Sequence, residues 1–136
     1  MNPLAEIHAE LKQDAPLLAE ALISPPEVSP PSPTDELQAE IDPQLRVGVE
    51  AIREGHLLHW GDGRVLNTPD SDLALLAGDR LYALGLERVA ATGSRSAIAS
   101  LSRLIKDSAT AMAGSESGAA ESFWSSTCAS IGEAES

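Results

Sequence analysis

Two histidines three residues apart, His56 and His59, are the residues whose types and spacing most readily suggest chemistry. Glu50, Glu54 and Asp62 stand near them in the chain. Imidazoles at i and i+3 on a helix share one side of it, and with carboxylates they supply ligands for zinc or iron. His56, His59 and Asp62 are therefore the metal-ligand candidates. A closed site needs a third and fourth ligand, and the remaining histidine, His8, is far away in sequence. The expectation is a partly solvated pair at a helix end, with no metal and no cofactor. The single cysteine, Cys128, would need a histidine base beside it to act as a nucleophile, and it sits in a serine-rich stretch. The chain contains neither a Gly-x-Ser-x-Gly elbow nor a glycine-rich phosphate loop. Asp79 and Arg80 read as a structural pair or a solvated edge. No residue is assigned a catalytic role.

Charge narrows the choice of partners. Nine basic residues against 21 acidic ones leave a formal net charge of -12. Nucleic acid is excluded as a partner, because binding phosphates requires a basic patch. An anionic membrane surface would repel the chain. One cysteine supports neither an internal disulfide nor a cysteine-rich zinc site. Glu6 and Glu10 stand where a secretory signal would be cationic and then apolar, and no apolar run approaches the length of a membrane span. The expected location is the cytoplasm, and the expected partner is a protein or a second copy of the chain. Only 3% of residues are aromatic, so a core must be built from Leu, Ile, Val and Ala.

The elements that would hold these residues follow from spacing and caps. Asn2 and Pro3 start a helix. Leu4, Ile7, Leu11, Leu18 and Leu22 recur at helical spacing, broken by Pro16. This predicts one helix to about Asp14 and another from about Ala15 to Ile23. Residues 24–34, with five prolines, predict an extended linker. A short helix follows over Asp35–Ile41. Asp42 and Pro43 then open a helix that runs to about Trp60, ended by Gly61-Asp62-Gly63.

Thr68 as cap and Pro69 in the first turn predict the next helix, which carries Leu73, Leu76, Leu81, Leu84, Leu86 and Val89. Its polar stripe of Asp72, Asp79 and Glu87 is narrow, so it is expected to be largely buried. Ala74, Gly78 and Gly85 mark a helix-packing interface, because interior glycine costs ~1 kcal/mol unless close packing offsets it. A helix from Ser94 to Gly114 and a weaker one from Ser115 to about Ile131, anchored by Phe123 and Trp124, complete the set. No alternating strand pattern occurs. The expectation is a small all-α helical bundle with its core between about Asp42 and Met112. The organisation is a helical segment over 1–23, a Pro-rich linker over 24–34, a bundle over 35–131 and a disordered tail over 132–136.

The order of features between Ala51 and Leu104 resembles the all-helical trans-prenyltransferases, the polyprenyl diphosphate synthases. Ala51-Ile52-Arg53-Glu54-Gly55-His56-Leu57-Leu58-His59 is similar to the helix that precedes their aspartate-rich motif. Leu75-Leu76-Ala77-Gly78-Asp79-Arg80-Leu81-Tyr82-Ala83 is similar to their next helix, which opens on Gly-Asp and an apolar run. The family holds magnesium on a DDxxD cluster after the histidine. Here His59 is followed by Trp60-Gly61-Asp62-Gly63-Arg64, and a lone Asp62 cannot bridge magnesium ions across a diphosphate. The resemblance therefore implies a truncated prenyltransferase-like fold, closest to the small non-catalytic subunits of two-component synthases. In that role the chain would shape the product cavity beside a catalytic partner. The alternatives are a helical interaction or scaffold protein of another pathway and a His-based metal-binding protein.

Overall fold

Asn2 starts the first helix by accepting the Leu4 and Ala5 amides on Oδ1, with Pro3 at the first helical position. The computed structural model describes residues 2–24, 26, 32–37 and 40–135. Its main elements are α1 (Pro3–Asp14), α2 (Pro43–Trp60), α3 (Ser71–Ala91), α4 (Arg95–Ala113) and α5 (Ser117–Glu135). Two 3-10 helices, Pro16–Ala21 and Pro33–Glu36, fill the gap between α1 and α2. The described residues contain no β-strand, and the fold is a small all-α bundle. Among the described residues no helix is long and apolar enough to cross a membrane.

Local chemistry sets most helix ends. Asp42 Oδ1 accepts the Gln44 amide ahead of Pro43, and Gly61 N donates to Leu57 O where α2 stops. Gly93 turns the chain between α3 and α4 with φ at +80°, a conformation that glycine adopts without strain. Ser94 Oγ then accepts the Ala97 amide to cap α4. The start of α3 differs from expectation. Asp70, not Thr68, is the cap, and its Oδ1 takes both the Asp72 and Leu73 amides. Thr68 Oγ1 instead accepts the Asp70 amide in the turn before the helix.

The second predicted segment is a 3-10 helix ending at Ala21 rather than an α-helix to Ile23. Long-range backbone pairing pulls the chain out of helical form: Ile23 N donates to Val65 O, and Asn67 N to Ala21 O. Likewise Pro33–Glu36 forms the 3-10 helix, closed by a capping box between Ser32 and Asp35, where a short helix over Asp35–Ile41 was expected. Gln38 and Ala39 of that segment, and Pro25 and residues 27–31 of the predicted linker, lie outside the described residues. At the other end α5 continues through residues 132–135, which composition assigns to a disordered tail.

The core has two parts that share α2. One gathers Leu4, Ile7, Leu11 and Leu18 with Val47, Ala51 and Leu58 of α2, Val65 and Leu66 of the following loop, and Ala77, Leu81 and Leu84 of α3. The other gathers Leu37, Ile41, Leu45, Val49 and Ile52 with Val89, with Leu101 and Leu104 of α4, and with Trp124, Cys128 and Ile131 of α5. Burial therefore extends beyond the expected limits of about Asp42 and Met112. The segment over 1–23 is part of the same core.

Helix α3 is not largely buried. Leu75 and Leu76 are 51% and 58% exposed, so its wide apolar surface exceeds what the bundle covers. Its opposite side meets α2 at backbone distance. A Cβ on Gly85 would lie 2.6 Å from Gly48 O and 2.5 Å from Ile52 Cγ1, and one on Gly55 would lie 2.9 Å from Gly78 O. Gly48 thus faces Gly85 and Gly55 faces Gly78, while Ala74 is half-buried. The α2 partners have the same seven-residue spacing as Gly78 and Gly85, a signal present in the sequence. A Gly85→Ala substitution gains up to ~1 kcal/mol of helix propensity yet must push against a backbone carbonyl that cannot rotate away. We expect net destabilisation of ~1–3 kcal/mol, read as a lower urea midpoint. A raised midpoint would show that the helices separate without penalty.

Candidate functional site

The polar side chains of α2 point three ways, and each set meets a different neighbour. Glu54 is fully buried and grips the loop that follows its own helix. Its Oε2 accepts the Arg64 amide at 2.6 Å and the Val65 amide at 2.7 Å, and its Oε1 accepts from Arg64 Nε at 3.0 Å. The Arg64 guanidinium also donates to Glu50 O at 3.4 Å and stands 3.5 Å from the Glu50 carboxylate. Gly63 makes room for this, because a Cβ there would lie 2.7 Å from Glu54 Oε2. A buried carboxylate that takes two amides and a guanidinium has its charge met by charge-assisted bonds. The result is a clasp folding residues 63–66 back against α2.

The second set faces α5. Arg53 pairs in two-pronged fashion with Glu121, at 2.8 and 3.1 Å, and its guanidinium lies 5.1 Å from the centre of the Trp124 ring. The His56 ring centroid is 5.5 Å from that of Trp124. Burial, then the nearby Arg53 charge, lowers the His56 pKa to about 4, so the imidazole is neutral at pH 7. Cys128 lies fully buried in α5. Burial, then the negative charge of Glu50, pushes its thiol up to about 12, which leaves it protonated and a poor nucleophile. Arg53 Nε, His56 Nδ1 and Trp124 Nε1 are all buried here without a hydrogen-bond partner in the protein. Such groups are costly unless water or a ligand meets them. A small cleft of about 120 Å³, walled by His56, Leu57, Trp60, Met112 and Glu121, opens at the end of this seam.

His59 faces α3. Its Nε2 stands 3.2 Å from Leu75 O and 3.4 Å from Asp79 Oδ1, and its ring meets Tyr82 edge-on at 5.1 Å. Burial, then the Asp79 charge, raises the Tyr82 hydroxyl to about 12. Of the two expectations for Asp79 and Arg80, a structural pair or a solvated edge, Asp79 fits the second: its side chain is largely exposed and leans towards His59.

The three metal-ligand candidates are not brought together. His56 is committed to α5 and His59 to α3, while Asp62 is exposed and accepts from Asn67 Nδ2 at 3.5 Å. Among the described residues no group of three or more His, Cys, Asp or Glu side chains could hold a metal ion. Composition and motif spacing did not single out the Glu54–Arg64 clasp or Glu121. The readable signal was weak: an acid on the inner side of an apolar helix, with an arginine ten residues later in a glycine-rich turn.

Two measurements test this geometry. Glu54→Gln takes the nearer of two counter-charges from the buried Arg64 guanidinium and leaves it only Glu50 at 3.5 Å, so stability should fall by ~3 kcal/mol or more. A change below ~1 kcal/mol in chemical denaturation would show that the loop stays closed without the clasp. For His56, the unfolded chain takes up the proton near 6.5 and the folded one only near 4. Its contribution to stability is complete above pH 6.5 and is lost as pH falls towards about 4. Over that window the melting temperature should fall further in the wild type than in His56→Phe; equal slopes would place His56 in contact with water. No protein-family model, curated protein or solved structure matches the chain.

Proposed function

We propose that this chain is a non-catalytic helical subunit that works by binding another protein, and that its partner is a polyprenyl diphosphate synthase. The observation that carries this reading is the clasp at the end of α2. In the family that the sequence resembles, the segment after the histidine presents aspartates to magnesium and a diphosphate. Here residues 63–66 of the same stretch are folded inward, where Arg64 and the Arg64 and Val65 amides are taken up by Glu54 of the preceding helix, and the one carboxylate that the stretch itself carries, Asp62, stands alone. Arg53, next to Glu54, is spent on Glu121. Charged groups used in this way hold a scaffold together and are unavailable to a substrate. A helical interaction protein of another pathway is the second reading. It is favoured by the exposed Leu75 and Leu76, which would serve a partner of any kind.

The test combines association with catalysis. The purified chain, given magnesium with allylic and homoallylic diphosphates, should form no chain-length product. When it is added to the polyprenyl diphosphate synthase of the same cell, the two should elute together and the product length or rate should shift severalfold. Product from the chain alone, free of host synthase, would overturn the non-catalytic reading. Failure to elute with the synthase, together with stable recovery of an unrelated protein at native levels, would select the second reading.

A further inference from the structure

The surface of α3 that the bundle leaves uncovered is both apolar and acidic. Asp72, Leu76, Asp79, Ala83 and Glu87 follow one another at intervals of three or four residues, so they lie along a single stripe. Leu75 and Leu86 border it on one side. Leu75 and Leu76 are 51% and 58% exposed, and the Asp79 side chain is 73% exposed. Leu86 is partly buried against the core. Arg80 borders the other side, half-buried; the cation nearer the C-terminus, Arg88, is turned inward to Glu10, Glu6 and Gln44. The face thus presents Leu76, with Leu75 beside it, among three carboxylates, and its one basic neighbour, Arg80, stands at the edge. Its helix is held rigidly from behind, because Gly78 and Gly85 seat it against the backbone of α2.

We infer that this face of α3 docks an amphipathic helix of a partner protein whose apolar side is flanked by lysines or arginines. The leucines supply the apolar contact, and Ala83 lets the incoming helix approach closely at the middle of the stripe. The carboxylates select for charge: a basic flank is drawn in, and an acidic one is repelled. The same argument disfavours a second copy of this chain. Two stripes laid together would oppose Asp72, Asp79 and Glu87 with their own kind, in a chain whose formal charge is already -12. This surface deepens the partner-binding reading above but does not depend on the partner being a synthase.

The test uses the full chain and two designed helical peptides with the same leucine face, one with lysine on its flanks and one with glutamate. Binding is followed by fluorescence anisotropy at several salt concentrations. The lysine peptide should bind, more weakly as salt rises, and the glutamate peptide should not. In Leu75→Ser/Leu76→Ser, whose charge is unchanged, binding should weaken about tenfold or more. Leu17→Ser, at a leucine 81% exposed elsewhere, should leave it unaltered. A second variant, Asp79→Lys/Glu87→Lys, should reverse the preference towards the glutamate peptide. Equal binding by the wild type and the double-leucine variant would mean that charge alone attracts the peptide, and would overturn the proposal. So would a wild type that dimerises in sedimentation through Leu75 and Leu76 while ignoring both peptides, since the occupant would then be a second copy. Peptide binding with the synthase assay unchanged would remove the synthase and leave this surface standing; the reverse result would remove the surface alone.

Discussion

Along α2 and α3 two helix backbones approach each other with almost no side chain between them. Gly48 opposes Gly85 and Gly55 opposes Gly78, and an added methyl at Gly85 or Gly55 would fall under 3 Å from a carbonyl oxygen of the other helix. Every other feature of the bundle is placed relative to this contact. It turns one side of α3 inward and so determines which leucines are left outside. It also brings α2 so close to its neighbour that Val47, Ala51 and Leu58 reach one half of the core while Leu45, Val49 and Ile52 reach the other. Close approach of this kind is favourable because dispersion contacts fall off steeply with distance and the interior is packed to near-crystalline density.

A helix buried on so many sides has little room for charge, yet α2 carries Glu50, Arg53 and Glu54 within a turn and a half. Each is tolerated through a partner from elsewhere in the chain. Glu54 is met by Arg64 and two loop amides, and Arg53 by Glu121 of α5. Desolvating such ions is expensive, and their pairing is seldom more stabilising than a hydrophobic replacement. What they supply instead is register. The clasp brings residues 65–67 to the stretch after α1, and the Arg53 pair docks α5 over Trp124. The same seam leaves Arg53 Nε, His56 Nδ1 and Trp124 Nε1 without protein partners, so α5 is held by chemistry that is satisfied only in part.

These two constraints shape the functional reading. A rigid helix pair with the charges of α2 turned inward offers little to a small substrate, and the buried thiol of Cys128 and the neutral His56 imidazole are poorly suited to covalent or proton-transfer work. The outward side of α3 combines exposed apolar area with a single sign of charge on a firmly backed helix. That combination suits recognition of another helix, and the proposed role as a non-catalytic subunit follows from setting it beside the inward-folded loop at the end of α2.

Helix type and approximate extent were legible in the sequence because they depend on neighbours a few residues apart. Asn2-Pro3, Asp42-Pro43 and Ser94 start helices through side-chain capping and proline geometry, and Gly93 ends one through its left-handed backbone. The spacing of Gly78 and Gly85 pointed to a packed helix side for the same local reason. Choices that depend on distant partners were not legible. The stretch after α1 became a 3-10 helix because Val65 and Asn67 compete for its backbone, and α5 ran on to Glu135 despite its serines because Trp124, Cys128 and Ile131 found a core to enter. Spacing set His56 and His59 side by side, but tertiary packing gave one to α5 and the other to α3. Likewise the apolar pattern of α3 could not say which of its leucines would be covered. Periodicity records how many apolar faces a helix has, and only the positions of its neighbours decide how many of them are buried.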